Sequence, residues 1–382
     1  MISHSVPDQS ESHAELLDES SIPLTPARFD AILVPTYRSV YPPRENRLAP
    51  SLEPCIDLAL RTRIPLIVMC SKEAHSHDVM NMAAGIDAEV IAIDLPQENP
   101  LEITLTTSSD QELIAASPGW TRDMSAKRNL GLILARLLGW TRLMLLDDDI
   151  VGVTEDDVTA LAAALDDHNI SALIPEEFPD NSVACHANRL GGGGQGVFAS
   201  ASGLGVRVDR DDLAFFPNIY NEDWFFFSKE AANHEIAKVG VSHQIAYDPY
   251  EDLDRAVYEE FGDLLAEGLY ARLDINEDIL GFDVSYWSAF IERRRSFHRR
   301  VSESLMECED AVKAAKARDS IRAAQDQLDR ITPFLCQKFV ELWRADLAKW
   351  RRYLVELQPV DSIAKALEHL DLNHKISRPS SR

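Results

Sequence analysis

Short apolar runs recur through the first half of the chain, each closed by a polar or helix-breaking residue. Ala31-Ile-Leu-Val34 is closed by Pro35, Ile64-Pro-Leu-Ile-Val-Met69 by Cys70-Ser71-Lys72, and Glu89-Val-Ile-Ala-Ile93 by Asp94. Runs this short and continuous predict strands buried on both faces. From Ser125 to Leu138 the spacing changes: Leu130, Ile133, Leu134, Leu137 and Leu138 recur at helical intervals, and Gly139 ends the helix. Leu143-Met-Leu-Leu146 predicts another buried strand, Asp156 to Asp166 an Ala/Leu helix, and Ile170-Ser-Ala-Leu-Ile174 a further strand. Strands alternating with helices predict an α/β fold, a three-layer sandwich around a mostly parallel sheet. Such sheets bind ligands at the carboxyl ends of their strands, so the polar residues that close these runs are the candidates for function.

After Pro175 the pattern loosens. A Gly-rich stretch, 191–196, precedes an apolar run and Asn221-Glu-Asp-Trp224, which opens a predicted helix reaching to about Lys238. From Tyr286 to Leu357 apolar and charged residues alternate at helical spacing, with a break near Pro333. No internal repeat is visible. These shifts predict a disordered acidic tail over 1–28, an α/β domain over 29–283, a helical region over 284–358 and a polar tail over 359–382.

Charge narrows the partners. The 382 residues carry a net charge of −25, the reverse of what a duplex nucleic-acid binder needs to displace counterions. The five cysteines, Cys55, Cys70, Cys185, Cys308 and Cys336, are scattered and form no CxxC pair, which predicts reduced thiols in a cytoplasmic protein. Met1 to Ser21 lacks the basic end and apolar run of a signal peptide. No apolar stretch reaches the roughly 18 residues of a membrane helix.

The sharpest chemical feature is Asp147-Asp148-Asp149, directly after the apolar run 143–146. On an extended strand end Asp147 and Asp149 would share a side, with Asp148 pointing away. Two carboxylates on one side suit a hard divalent cation, Mn2+ or Mg2+, which can take up the charge of a departing diphosphate. The plainer alternative is an acidic turn capping the next helix. Glu222-Asp223 has a plain alternative too: acids in a first turn complement the helix dipole, and Asn221 is a good cap.

Taken in order, Ala126-Lys-Arg-Asn-Leu-Gly131, Leu143-Met-Leu-Leu-Asp-Asp-Asp-Ile150, the opening Val34-Pro-Thr-Tyr-Arg38 and the later Asn221-Glu-Asp-Trp224 resemble the core of GT-A-fold glycosyltransferases. The likeness is to their inverting family 2 above all and spans about residues 29–250. It implies a GT-A, Rossmann-like sheet and transfer of a sugar from a UDP- or GDP-sugar to an acceptor hydroxyl, the acceptor being unidentified. It also implies roles. Pro35, Thr36, Tyr37, Arg38, Ser71 and Asp148 would line the nucleotide site, and Lys127, Arg128 and Asn129 would contact the donor's diphosphate. Asp147 and Asp149, joined by His243, would hold the metal. Asp223 would be the general base with Glu222 its acceptor-binding neighbour, the two roles being exchangeable. The stretch 200–205, with Gly203 and Gly205, resembles the acceptor-side loop. The usual second-strand acidic signature is replaced by Ser71-Lys-Glu73, and the Gln-x-x-Arg-Trp motif of processive synthases is absent.

Three other readings compete. A haloacid-dehalogenase-type phosphatase would use Asp147 as nucleophile and Asp149 beside it, with Asp263 and Glu267 as its late acids. A sugar-phosphate nucleotidyltransferase would need a basic, Gly-rich signature after the first strand, which 34–38 lacks. A non-catalytic scaffold would keep the fold alone. The helices over 286–357 offer an acceptor-side or homodimer surface, and Arg293-Arg-Arg-Ser-Phe-His-Arg-Arg300 is either an anion site or a solvated helix face paired with acids.

Overall fold

A computed structural model describes residues 13–19, 27–39, 51–96, 101–120, 123–176, 182–194, 196–275 and 282–378. Among these, ten strands form one sheet: β1 (Leu17–Asp18), β2 (Ala31–Thr36), β3 (Leu66–Cys70), β4 (Val90–Asp94), β5 (Arg142–Leu146), β6 (Ile150–Val151), β7 (Ile170–Glu176), β8 (Gly203–Arg207), β9 (Ile236–Gln244) and β10 (Asn373–Ser377). The order is β1-β9-β7-β8-β5-β2-β3-β4-β10, with β6 paired to β9. The β5-β2-β3-β4 block is parallel, as are β7, β9 and β1, while β8, β6 and β10 run antiparallel to their neighbours. This is the mostly parallel α/β sheet expected from the apolar runs.

Period-two alternation builds the layers. Ala31 and Leu33 of β2 enter one core with Ile67 and Met69 of β3 and the helix Met124–Leu138. Ile32 and Val34 enter a second core, on the opposite face, with Leu66 and Val68 and the helices Glu53–Thr62 and Glu155–Ala164. Both faces of the sheet are therefore covered, as a parallel sheet requires.

Several boundaries differ from expectation. Residues 13–19, placed by composition in a disordered tail, are built into the fold. Leu17 and Asp18 pair with Ile236 and Ala237, and Leu16 is buried. Two strand residues and one apolar side chain are too short a signal to stand out in a polar segment. At the other end, 359–382 is not simply a polar tail: the helix Ile363–His369 leads into β10, which closes the sheet against β4. Backbone pairing at an edge needs no hydrophobic run, so the polar sequence Asn373–Ser377 gave no strand signal. The helix expected from Glu222 to about Lys238 is instead Glu222–Phe226 and Ser228–Ala232, with His234 at φ 56° turning the chain into β9.

The helices Val284–Ser304, Ala311–Leu328 and Pro333–Glu356 match the periodic region, with a second break before Ala311. Trp287, Phe290, Phe339, Trp343 and Trp350 lie in the same core cluster as Leu33 and Leu145 of the sheet. The five cysteines are free thiols. No described helix is long and apolar enough to cross a membrane.

Candidate active site

The site gathers at the carboxyl ends of β2 and β5 and the start of the helix Met124–Leu138. β5 ends at Leu146, and Asp147–Asp149 form a turn in which the Ile150 N–H donates to the Asp147 carbonyl at 3.2 Å. The extended alternation expected here is therefore absent, and the three carboxylates part company differently. Both oxygens of Asp147 accept from Nη2 of Arg128, at 2.9 and 3.1 Å. Asp148 accepts from Thr36 Oγ1 at 2.6 Å, and burial pushes its carboxyl up from the ordinary range against the opposing effect of that bond. Asp149 accepts from Gln244 Nε2 at 3.1 Å, with Arg38 Nη1 at 3.9 Å. Burial disfavours the charged Arg38, but Tyr37, Asp148 and Asp149 together outweigh that loss.

Arg128 joins this turn to the later acidic pair. Its Nη1 donates to Glu222 Oε1 at 2.6 Å while Nη2 holds Asp147. Burial disfavours the charged guanidinium, but Asp147 and Glu222 more than restore it, so its proton is held more tightly than usual. Burial pushes Glu222 up to about 7 despite Arg128, with Asp223 adding to the rise. Asp223 is raised by the same burial and restrained by Arg128. Its two oxygens accept from the Ala201 N–H at 2.8 Å and the Trp224 N–H at 2.9 Å. These bonds fix the carboxylate's direction. Arg128, Asp147, Ser200, Ser202, Asn221, Glu222 and Asp223 line a cavity of about 80 Å³ together with Trp120, Met124 and Tyr220.

Other expected site residues have structural duties. Lys127 is fully buried, and its three N–H donors meet Thr36 O at 2.8 Å, Ser71 Oγ at 2.7 Å and Asp123 Oδ1 at 2.8 Å. Burial lowers its proton affinity, with Asp123 resisting. It ties the helix start to β2 and β3 and does not reach out to a diphosphate. Asn129 clamps Phe216 through both its amide atoms, each bond 2.8 Å, and likewise faces the protein. Pro35 is inside β2, paired with Met69. Tyr37 and Arg38 follow the strand; the Tyr37 ring has Arg38, Lys72 and Lys127 at 5.1, 5.5 and 5.9 Å.

Gly203 and Gly205 are not in a loop. They are buried in β8, where a Cβ on Gly205 would stand 2.3 Å from Ser171 Oγ and 3.0 Å from Phe29 Cζ. The loop beside Asp223 is Ser200–Ser202, whose hydroxyls are 2.5 Å apart. His243 is paired with Val151 on β9, and it is the next residue, Gln244, that reaches Asp149. Adjacent strand residues face opposite sides, so His243 does not join the aspartates. Asn221 adopts φ 58° and makes no side-chain cap. Gln244 escaped the sequence reading because a single polar residue at a strand end carries no pattern; Ser200 and Ser202 belong to the stretch 200–205 already singled out there.

These carboxylates do not form a ready-made cation cage: among the described residues no three His, Cys, Asp or Glu side chains converge as a metal-binding group. The donor set does fit the mode in which one or two carboxylates share a hard cation with substrate phosphates and water. Asp149 and Asp148 suit that mode; Asp147, gripped by Arg128, does not. Asp263 and Glu267 lie within the helix Leu253–Leu273, and Arg294 binds Asp263 there. Within the basic run 293–300, Arg294 is buried on Glu260 and Asp263, and Arg295 pairs with Glu292 and Asp329.

No protein-family model matches the chain, and no curated protein matches it. Solved structures similar to it in outline include glucosyl-3-phosphoglycerate synthase of M. tuberculosis, at 15% identity and a TM-score of 0.39, covering 63% of this chain and 80% of that one. A mannosyltransferase from Pyrobaculum calidifontis, in complex with GDP-Man and Mn2+, is 13% identical with a TM-score of 0.39, covering 88% of this chain and 91% of that one. At these values what the two proteins bind is not carried over to this chain.

Proposed function

We propose that the chain transfers a sugar from a UDP- or GDP-sugar to an acceptor hydroxyl, with inversion at the anomeric carbon. The observation that carries this reading is a cavity lined by Asp223, Glu222, Arg128 and Asp147, at the carboxyl ends of an α/β sheet. In it Asp147 is held by Arg128, and the carboxylates of Glu222 and Asp223 suit proton transfer.

The donor's nucleotide would lie across the ends of β2 and β3, where Tyr37, Arg38 and Ser71 gather. Asp149, with Asp148, would hold Mn2+ or Mg2+ against the diphosphate; when bound, the cation neutralises the charge that develops on the leaving group. Asp223 is aimed by two backbone N–H groups and takes the proton of the acceptor hydroxyl. That oxygen bonds to the anomeric carbon as the bond from this carbon to the diphosphate oxygen breaks. Arg128 keeps Glu222 in place beside the base, and Glu222 orients the acceptor.

Thermal melting with UDP or GDP plus Mn2+ tests the donor half. The wild type should be stabilised by nucleotide and metal together, and Asp149→Asn should lose that response while staying folded. An equal response in Asp149→Asn would refute the metal and donor assignment. Stabilisation by metal alone, with hydrolysis of a phenyl phosphate, would favour a phosphatase.

A further inference from the structure

The turn that carries Glu222 and Asp223 has no cap of its own, yet it is held from behind. Asn221 sits in the left-handed region at φ 58°, and its Nδ2 donates to Asp263 Oδ1 at 3.0 Å. Asp263 is on the helix Leu253–Leu273 and is nearly fully buried. Its other oxygen accepts from Arg294 Nη2, and Arg294, on the helix Val284–Ser304, also grips Glu260 through two bonds of 3.1 Å. Arg294 has no solvent exposure. The preceding residue shows how closely the two elements approach: a Cβ on Gly262 would stand 2.3 Å from the Tyr220 carbonyl oxygen and 2.7 Å from its nitrogen. Only glycine lets the helix backbone lie against the Tyr220–Asn221 backbone.

A buried carboxylate in such a place is costly unless charge and hydrogen bonds balance it. Arg294 supplies the charge, and the Asn221 amide supplies a bond on the other oxygen. An apolar contact would hold the turn's position; this arrangement also fixes its orientation, since Asn221 is adjacent to Glu222 and shares a peptide plane with it.

We infer that Asn221, Asp263 and Arg294 form a buried positioning relay that fixes the Glu222–Asp223 turn and makes the helix Val284–Ser304 part of the transfer apparatus. The inference rests on the proposed role of Asp223 in sugar transfer. Asp263 and Arg294 lie behind the cavity, and Asn221 is part of its lining while its amide donates away from it to Asp263; none of the three is proposed as base or acid, and each acts through the turn.

Asn221→Gly tests it in the full chain. Glycine tolerates the left-handed backbone and removes the whole Asn221 side chain, amide included, so the variant should melt as one transition close to the wild type. Hydrogen exchange in the peptide covering 220–226 should quicken by about tenfold or more while exchange in β2 and β5 stays unchanged. With transfer measured, kcat should fall roughly tenfold and donor KM change by less than twofold, because the donor side is untouched. Asp263→Asn leaves an oxygen for Asn221 but removes the charge held by Arg294; it should show a smaller kcat loss than Asn221→Gly. Unchanged exchange in 220–226 overturns the relay, whether or not the protein transfers sugar. Quickened exchange in Asn221→Gly, with a wild type that uses no nucleotide sugar, would keep the relay and reject the functional reading. Quickened exchange with a wild-type kcat would overturn the claim that the relay serves transfer.

Discussion

Asp223 and Glu222 differ in how they are held, and the difference separates their roles. Two backbone N–H groups fix Asp223 in direction, whereas Glu222 is tied to a guanidinium. A general base needs a fixed aim and access to the acceptor proton, which favours Asp223. Asp223→Asn should leave donor binding intact and lower transfer by roughly two or more orders of magnitude. Burial pushes Glu222 up to about 7, so its ionised fraction falls as pH drops through neutrality. If ionised Glu222 orients the acceptor, kcat/KM should decline below about pH 7 and that limb should disappear in Glu222→Gln. A profile unchanged by Glu222→Gln would assign the limb to another group. The sequence named both acids through their motif, but it could not rank them: the Ala201 N–H and Arg128 lie 22 and 94 positions away from their partners.

At the scale of elements, packing explains residues whose motif suggested chemistry. Gly205 is a place where β8 passes close to Ser171 and Phe29. Gly205→Ala should therefore cost about 1–3 kcal/mol of stability through overpacking. Thermal or urea melting checks this. A normal melt with lost transfer would return Gly205 to the acceptor side. The strands β2, β3, β4, β5 and β7 were legible because each is a continuous apolar run. The edge strands β1 and β10 were not, since backbone pairing with β9 and β4 holds them and their side chains follow no hydrophobic period. The three aspartates were found in the right place but with the wrong geometry. Sequence alternation assumes an extended strand end, and the chain turns at Asp147 instead.

Across the whole molecule, the helices after residue 283 are part of one core with the sheet. Trp287, Phe339 and Trp350 share a cluster with Leu33 and Leu145, and β10 closes the sheet edge at β4. Removing 284–382 would expose that core and leave Asp263 without Arg294. The truncated chain should fail to fold cooperatively; a sharp thermal transition in it would show that the first 283 residues fold alone. Helical periodicity revealed this helical region and its break near Pro333, but nothing in the local pattern tells that Arg294 is buried against Asp263, because a basic run on a helix ordinarily faces solvent. The central claim, sugar transfer with Asp223 as base, is tested most directly by donor turnover on a panel of nucleotide sugars with Mn2+, comparing the wild type with Asp223→Asn. The account predicts release of UDP or GDP by the wild type on at least one donor, inverted anomeric configuration of any transfer product by NMR, and a loss of about a hundredfold or more in the variant with nucleotide affinity retained. Retention of configuration, or equal turnover in Asp223→Asn, would contradict it.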